Sequence, residues 1–106
     1  MKTQPISQLS AATALVQLLQ EHPRLAAAEW SINSVTAELR GFVYGAGMKA
    51  LSQYADVLGG SVQAAQNTYE DQGRQVRAHR LSSVWRDVRV VVTVALPVAE
   101  SAQVAA

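Results

Sequence analysis

The chain has 106 residues, of which 49% are hydrophobic and 16% charged, and its formal net charge is +1. This length suits one domain, and the apolar fraction excludes wholesale disorder. The absence of cysteine excludes disulfides, thiolate catalysis and cysteine metal sites, and the near-neutral charge excludes a global field that would attract nucleic acid. We expect a soluble, cytoplasmic protein, because no apolar run reaches the roughly 20 residues of a membrane span and no signal-peptide pattern begins the chain.

Two helices are predicted from the spacing of apolar residues. Over residues 7–20, leucine, valine and alanine recur at helical intervals, and Ser7 or Ser10 can accept hydrogen bonds from the first free amides. Over residues 48–58 the apolar residues form a single stripe, and the Gly-Gly pair directly after it is typical of a helix end. Each helix therefore has one face that must be covered by another part of the chain.

Strands are predicted in the segments between and after the helices. Alternating side chains indicate two short strands within residues 30–44, a weak strand over 61–69, and two longer strands over 74–84 and 88–96. The resulting order, α-β-β-α-β-β-β, predicts an α+β domain with a mainly antiparallel sheet of about five strands and both amphipathic helices on one face. We place this single domain at residues 1–97 and expect the tail, 98–106, to fray.

The last predicted strand, over 88–96, is apolar on both faces. Its even-numbered residues form one continuous apolar face, which we assign to the core beneath the helices. Its odd-numbered face is apolar at the middle, and we expect an apolar residue of the preceding strand to join it there. Uncovered apolar patches are typical of partner surfaces, and a second copy is the commonest partner. The candidate interface residues are Val91, Thr93, Ala95 and Leu81. If this strand also lies at the sheet edge, its free amides can extend the sheet into a second copy.

Arginine is concentrated in the last two strands, where five of the nine basic residues fall within positions 74–89. Strand alternation predicts that Arg74, Arg80 and Arg86 point to one side and that Arg77 and Arg89 point to the other. Arginine binds phosphate through paired hydrogen bonds, but we find no stripe of exposed aromatic residues such as a single-strand binder uses. A solvated face with a few ion pairs is therefore favoured over nucleic-acid contact. The candidate anion or nucleic-acid contacts are Arg74, Arg77, Arg80 and Arg89.

Enzyme signatures are missing from the sequence. There is no P-loop, nucleophile elbow or dinucleotide fingerprint, and His22 and His79 have no neighbours at metal-ligand spacing. We therefore assign no catalytic, cofactor-binding or metal-binding residue and do not expect an enzyme. His79 is expected on a solvated sheet face. A ligand pocket between sheet and helices near Trp30, Tyr54 and Trp85 remains as a further alternative.

Three segments carry a resemblance to known sequences: EHPRLAAAEWSI, LSQYADVLGG and VWRDVRVVV. They resemble parts of small uncharacterised proteins from high-GC actinobacteria and their phages, and an Ala- and Arg-rich, Lys-poor composition agrees with that source. The resemblance covers roughly residues 15–97. It implies no activity and no site residues for this chain.

Three functions follow as hypotheses. The preferred one is a small non-enzymatic interaction or accessory module that forms a homodimer through its sheet. The second is a regulatory protein that contacts nucleic acid through the arginine-rich strands. The third is a small-ligand binder or an enzyme. We expect no cofactor and no membrane partner.

Overall fold

Two helices lie on one face of a five-stranded sheet in the computed structural model, which describes residues 7–45 and 47–98. The elements in chain order are α1 (Gln8–Glu21), β1 (Glu29–Ile32), β2 (Leu39–Val43), α2 (Gly47–Leu58), β3 (Ser61–Asp71), β4 (Arg74–Trp85) and β5 (Val88–Pro97). This confirms the predicted α+β class and element order. The predicted tail falls, apart from Val98, outside the described residues.

The strands are arranged in the order β1-β2-β5-β4-β3, and every neighbouring pair is antiparallel except β2 with β5, which is parallel. The valine-rich strand β5 is therefore the central strand. Its amides and carbonyls face β2 on one side and β4 on the other, so the expectation that it could extend the sheet into a second copy as an edge strand is wrong. The free edges belong to β1 and β3.

The register between β4 and β5 is set by a two-residue turn. Arg86 and Asp87 both have positive φ, at 52° and 66°, which makes Trp85 the partner of Val88. Odd-numbered residues of β4 consequently share a face with even-numbered residues of β5. Leu81 is the partner of Val92 and is fully buried beneath the helices, so its expected place beside Val91 is wrong.

The core lies between this sheet face and the helices. The even-numbered residues of β5, from Val88 to Leu96, are all buried, as predicted. Helix α2 covers them with one apolar stripe that includes Leu51 and Tyr54. Helix α1 buries mainly small residues, and its larger apolar side chains at Leu9, Val16 and Leu19 remain exposed. The prediction that each helix has one apolar face covered by the rest of the chain thus holds for α2 and only partly for α1.

Close packing at the β1–β2 hairpin explains a glycine within a strand. Trp30 of β1 is the cross-strand partner of Gly41, and its ring meets that of Tyr54 edge to face at 6.0 Å between centroids. A Cβ atom on Gly41 would lie 2.7 Å from Cζ3 of Trp30. The indole therefore rests on the bare backbone of β2. The region between Trp30 and Tyr54, considered above for a ligand pocket, is occupied by these packed rings.

We expect Gly41→Ala to lower the free energy of unfolding by about 1–3 kcal/mol, because the added methyl group overpacks the site against the indole ring. Urea denaturation of the single variant and of the same change in a Trp30→Leu background measures this. The cost should fall below about 1 kcal/mol once the indole is absent. Equal costs in both backgrounds would show that the ring is not the cause.

Candidate functional site

The sheet face opposite the helices is covered by neither of them, and we call it the open face. Its floor is formed on β5 by Val91, Thr93 and Ala95, which are half-buried as expected for residues between two neighbouring strands. Among the other side chains on this face are, from the neighbouring strands, Glu29, Ser31, Arg40, Phe42, Tyr69, Val76, Ala78, Arg80, Ser82 and Val84, with Tyr44 directly after β2. The middle of this face is mostly apolar, with Val76 and Ala78 buried, and it contains one charged group, Arg80.

The open face is concave, with a volume of about 780 Å³ above its floor. One wall is an aromatic pair at the end of β2, in which Phe42 of the strand and Tyr44 directly after it are tilted at 42° with their centroids 4.6 Å apart. The opposite side carries Tyr69 of β3. Tyr44 is 67% and Tyr69 44% exposed, so both rings are accessible to a ligand. Sequence reasoning missed these rings as a group because they come from strands that are distant along the chain.

Three of the arginines share the open face. Arg80 is the partner of Thr93, Arg89 the partner of Val84, and Arg74 lies at the far end opposite Asp71. The expected grouping placed Arg89 on the other side. It fails for the same reason as the placement of Leu81, because the two-residue turn reverses which residue numbers share a face.

Arg40, which was not among the candidates, adds a fourth guanidinium to this face. Its Nε donates a hydrogen bond to Oε1 of Glu38 at 2.6 Å. The Arg40 side chain is 57% exposed, whereas that of Glu38 is 15% exposed. The carboxylate therefore holds the base of the guanidinium while the cation faces solvent. The alternation of β2, with Arg40, Phe42 and Tyr44 on one side, was the available signal.

Arg77 lies on the helix-covered side and does not join the other arginines. Its Nη1 donates hydrogen bonds to the carbonyl oxygens of Ala65 at 2.6 Å and Gln66 at 2.8 Å. Those carbonyls belong to a bulge in β3, where residues 65–67 interrupt the ladder with β4. Arg77 thus has a structural role at the bulge, and the candidate nucleic-acid contact at this position is not on the surface that holds the others.

Arg86 is likewise engaged within the molecule. Its Nη1 and Nη2 donate to the two carboxylate oxygens of Glu21, at 2.7 and 2.5 Å, and Nη1 also reaches Oε1 of Gln17. Its guanidinium lies 4.1 Å from the ring centroid of Trp85. The hydrogen bond from Arg86 lowers the pKa of Glu21. This contact ties the end of α1 to the β4–β5 turn.

The free edge of β3 is the second accessible feature. Of its 11 residues all but the half-buried Ala65 are exposed, and both of its faces are accessible to solvent. Regular pairing with β4 covers residues 61–64 and 68–71, with the bulge between them. The outward amides and carbonyls of such an edge are a template for another strand.

His79 occupies a different place from the expected solvated face. It is the partner of Val94, lies on the helix-covered side and is 7% exposed. Burial, and then the positive charge of Arg77, lower the pKa of His79 below its ordinary value of 6.5. The imidazole is therefore neutral at physiological pH, and its position gives no contact with a ligand on the open face.

Searches of protein-family models, curated proteins and solved structures find no match to this chain. Within residues 7–45 and 47–98, no three potential ligands among histidine, aspartate and glutamate gather into a metal-binding group. In that same part of the chain, no helix combines the length and the apolar character that crossing a membrane requires. The open face and the β3 edge are therefore the features on which a function can be argued.

We expect the stability of the protein to depend on His79 at mildly acidic pH. Because its folded-state pKa lies below 6.5, the unfolded chain binds the proton first. The contribution of neutral His79 is complete above about pH 6.5 and is lost as the pH falls through the folded-state pKa. The free energy of unfolding should therefore fall between pH 7 and pH 5, with a slope below about 1.4 kcal/mol per pH unit for one proton. This slope should be smaller in His79→Gln. An unchanged slope would assign it to another group.

Proposed function

We propose that this chain is a small non-enzymatic interaction module that forms a homodimer through its sheet, with β3 of each copy as the pairing strand. The observation that carries the proposal is the long, uncovered edge of β3. Eleven residues of strand with both faces in solvent leave a row of backbone groups that a second strand can satisfy.

The two edges of the sheet differ in a way that supports this choice. The β1 edge is four residues long, and Nε2 of Gln8 on α1 donates to the carbonyl oxygen of Ile32 there at 3.5 Å. Short length and a helix beside the strand are common ways of blocking edge pairing. The β3 edge is nearly three times as long and has neither of these two protections, and its bulge at residues 65–67 interrupts it only at the centre. A second copy therefore has one suitable edge, and an interface built from the same strand twice closes as a dimer.

The two regular segments of β3 suit a two-fold axis at Gln66, with pairing between copies along those segments and not at the bulge, where Arg77 already binds the carbonyl oxygens of Ala65 and Gln66. The bulge, residues 65–67, lies between two regular segments of equal length, 61–64 and 68–71. An antiparallel pair centred on Gln66 places Ala64 opposite Thr68 and Gln63 opposite Tyr69 of the other copy. Ala64 and Thr68 both lie on the helix-covered side, so the side chains alternate correctly. The acidic pair at the end of β3 lies opposite Ser61 and Val62, so no like charges meet.

The open face is a poorer surface for a second copy. Val91 and Thr93, two of the candidate interface residues, line the floor of a concavity whose aromatic walls stand above them, and Ala95 lies on the same face of β5. Two concave faces cannot bring their floors into contact, and interface cores are packed as tightly as protein interiors. A dimer contact at these residues remains a prediction that the shape argues against, and Val91→Glu tests it because it should leave the dimer intact.

We expect the wild-type protein to have twice the 11.4 kDa mass of one chain in light scattering at micromolar concentration. Ala64→Lys with Thr68→Lys places like charges opposite each other twice per dimer and should weaken association about tenfold. Ala64→Glu with Thr68→Lys places opposite charges at the same exposed positions and should retain the dimer.

Both double variants should unfold at similar temperatures when monomeric, since the two positions are exposed. A monomeric wild-type protein at millimolar concentration would sink the proposal. Equal dissociation of the two double variants would refute the register centred on Gln66, and a monomeric Val91→Glu variant would move the interface to the open face.

A further inference from the structure

We infer that the open face binds a single strand of nucleic acid, with bases against its aromatic rings and phosphates against its arginines. This site goes beyond the proposed dimer and does not depend on it. The first observation is that four aromatic residues line the concavity, of which Tyr44 and Tyr69 are exposed, Phe42 is half-buried, and Trp30 packs against Tyr54. Exposed rings on a sheet are platforms on which bases stack irrespective of sequence.

The spacing of the rings suits an extended ligand. Phe42 shares a row with Thr93, whereas Tyr69 shares a row with Val76 and Pro97, on the third strand across from β2. With strands about 4.8 Å apart and about 3.4 Å per residue, the two rings are about 20 Å apart along a diagonal of the sheet. A nucleic-acid strand that follows this diagonal passes over Thr93 and Ala95 on the floor. Rings at both ends and a low floor between them favour a narrow, elongated ligand.

The arginines supply the charge that phosphates require. Arg80 lies beside Thr93 in the middle of the face, and Arg40 projects from the row of Val91, held by Glu38. Arg74 and Arg89 mark the two ends. Guanidinium groups pair with phosphate oxygens through two parallel hydrogen bonds and also stack on bases. All four cations of the described open face are arginine, which suits contact with phosphate and bases together.

The acidic groups of this face lie at its margins. On the described strands they are Glu29 on the outermost strand β1, Glu38 just before β2, and Asp71 at the end of β3. The path begins beside Glu29, the cross-strand partner of Phe42, which lines the concavity together with Glu38. It leaves both carboxylates behind as it crosses β5 and β4 towards Tyr69 and passes Arg80, whose charge is complementary to a polyanion. A duplex is too wide to enter this concavity and bring its bases against the rings. We therefore assign the site to single strands.

The proposed dimer would leave this site open. Pairing of the β3 edges about an axis perpendicular to the sheet keeps both open faces on the same side, with the two Tyr69 rings near the seam. A longer oligonucleotide could then contact both copies, but one copy already contains the aromatic rings and arginines of a complete site.

The test is fluorescence anisotropy with labelled oligothymidylate and oligouridylate of about 12 nucleotides, the length range of known single-strand sites, at about 50 mM salt. We expect wild-type protein to bind, with affinity that falls steeply as salt rises. Tyr44→Ala should weaken binding at least about fivefold. Arg80→Glu should also reduce the slope of log Kd against log salt by about one or more. Val91→Glu should weaken binding because it adds a carboxylate to the floor.

The matched control is Arg24→Glu, which makes the same charge change at an exposed position after α1, away from the open face. It should bind almost as wild type. The proposed site would be overturned if the wild-type protein bound neither oligonucleotide or bound a duplex with equal affinity. It would also be overturned if Arg24→Glu and Arg80→Glu lost affinity equally. The monomeric Ala64→Lys, Thr68→Lys variant should still bind, so that failure of the dimer and failure of this site give different results. If Val91→Glu instead dissociated the dimer, the open face would be the dimer interface and not a nucleic-acid site.

Discussion

The two-residue turn at Arg86 and Asp87 is the constraint on which the rest of the structure depends. It fixes the register between β4 and the central strand β5, and with it the face to which every side chain of both strands points. Both residues take a backbone conformation that favours glycine or asparagine, so the turn is held by contacts outside it. The bidentate contact of Arg86 with Glu21, and its stacking on Trp85, supply them.

This turn also joins the sheet to the first helix. Because Arg86 holds Glu21, α1 is anchored at its end with its small residues Ala11 and Ala14 against the sheet. The second helix is oriented by a different contact, the packing of Tyr54 against Trp30, with the Tyr54 hydroxyl donating to the carbonyl oxygen of Ala26. Both helices are thus positioned on one side, and neither helix of the described residues covers the opposite face of the sheet. An antiparallel sheet commonly packs one face on the core and leaves the other to solvent.

The sequence predicted the elements well and the shared faces poorly. Periodicity located both helices, and the even-numbered face of β5 was assigned correctly to the core, because those signals are local. The faces of Leu81 and Arg89 relative to β5 depended on which residue stands opposite Val88, and alternation within one strand does not give the register between two strands. His79 was expected in solvent because Arg77 and Gln75, which share its face of β4, are polar, but that face lies under the helices. The one parallel pair, β2 with β5, joins segments about 50 residues apart, and no local pattern announces it. Phe42 and Tyr44 could have been grouped with Arg40 from β2 alone, but Tyr69 required the strand order.

The bulge in β3 has a consequence for the behaviour of the chain in crowded solution. Runs of identical strands stack into fibrils when their edges are straight and every backbone group is free to pair above and below. At residues 65–67 two of the carbonyl groups are already bound by Arg77, and the strand departs from regular pairing there. An arginine on the neighbouring strand thereby makes the exposed edge irregular at its centre, and an irregular edge is a poorer template for continuous fibrillar stacking than a straight one.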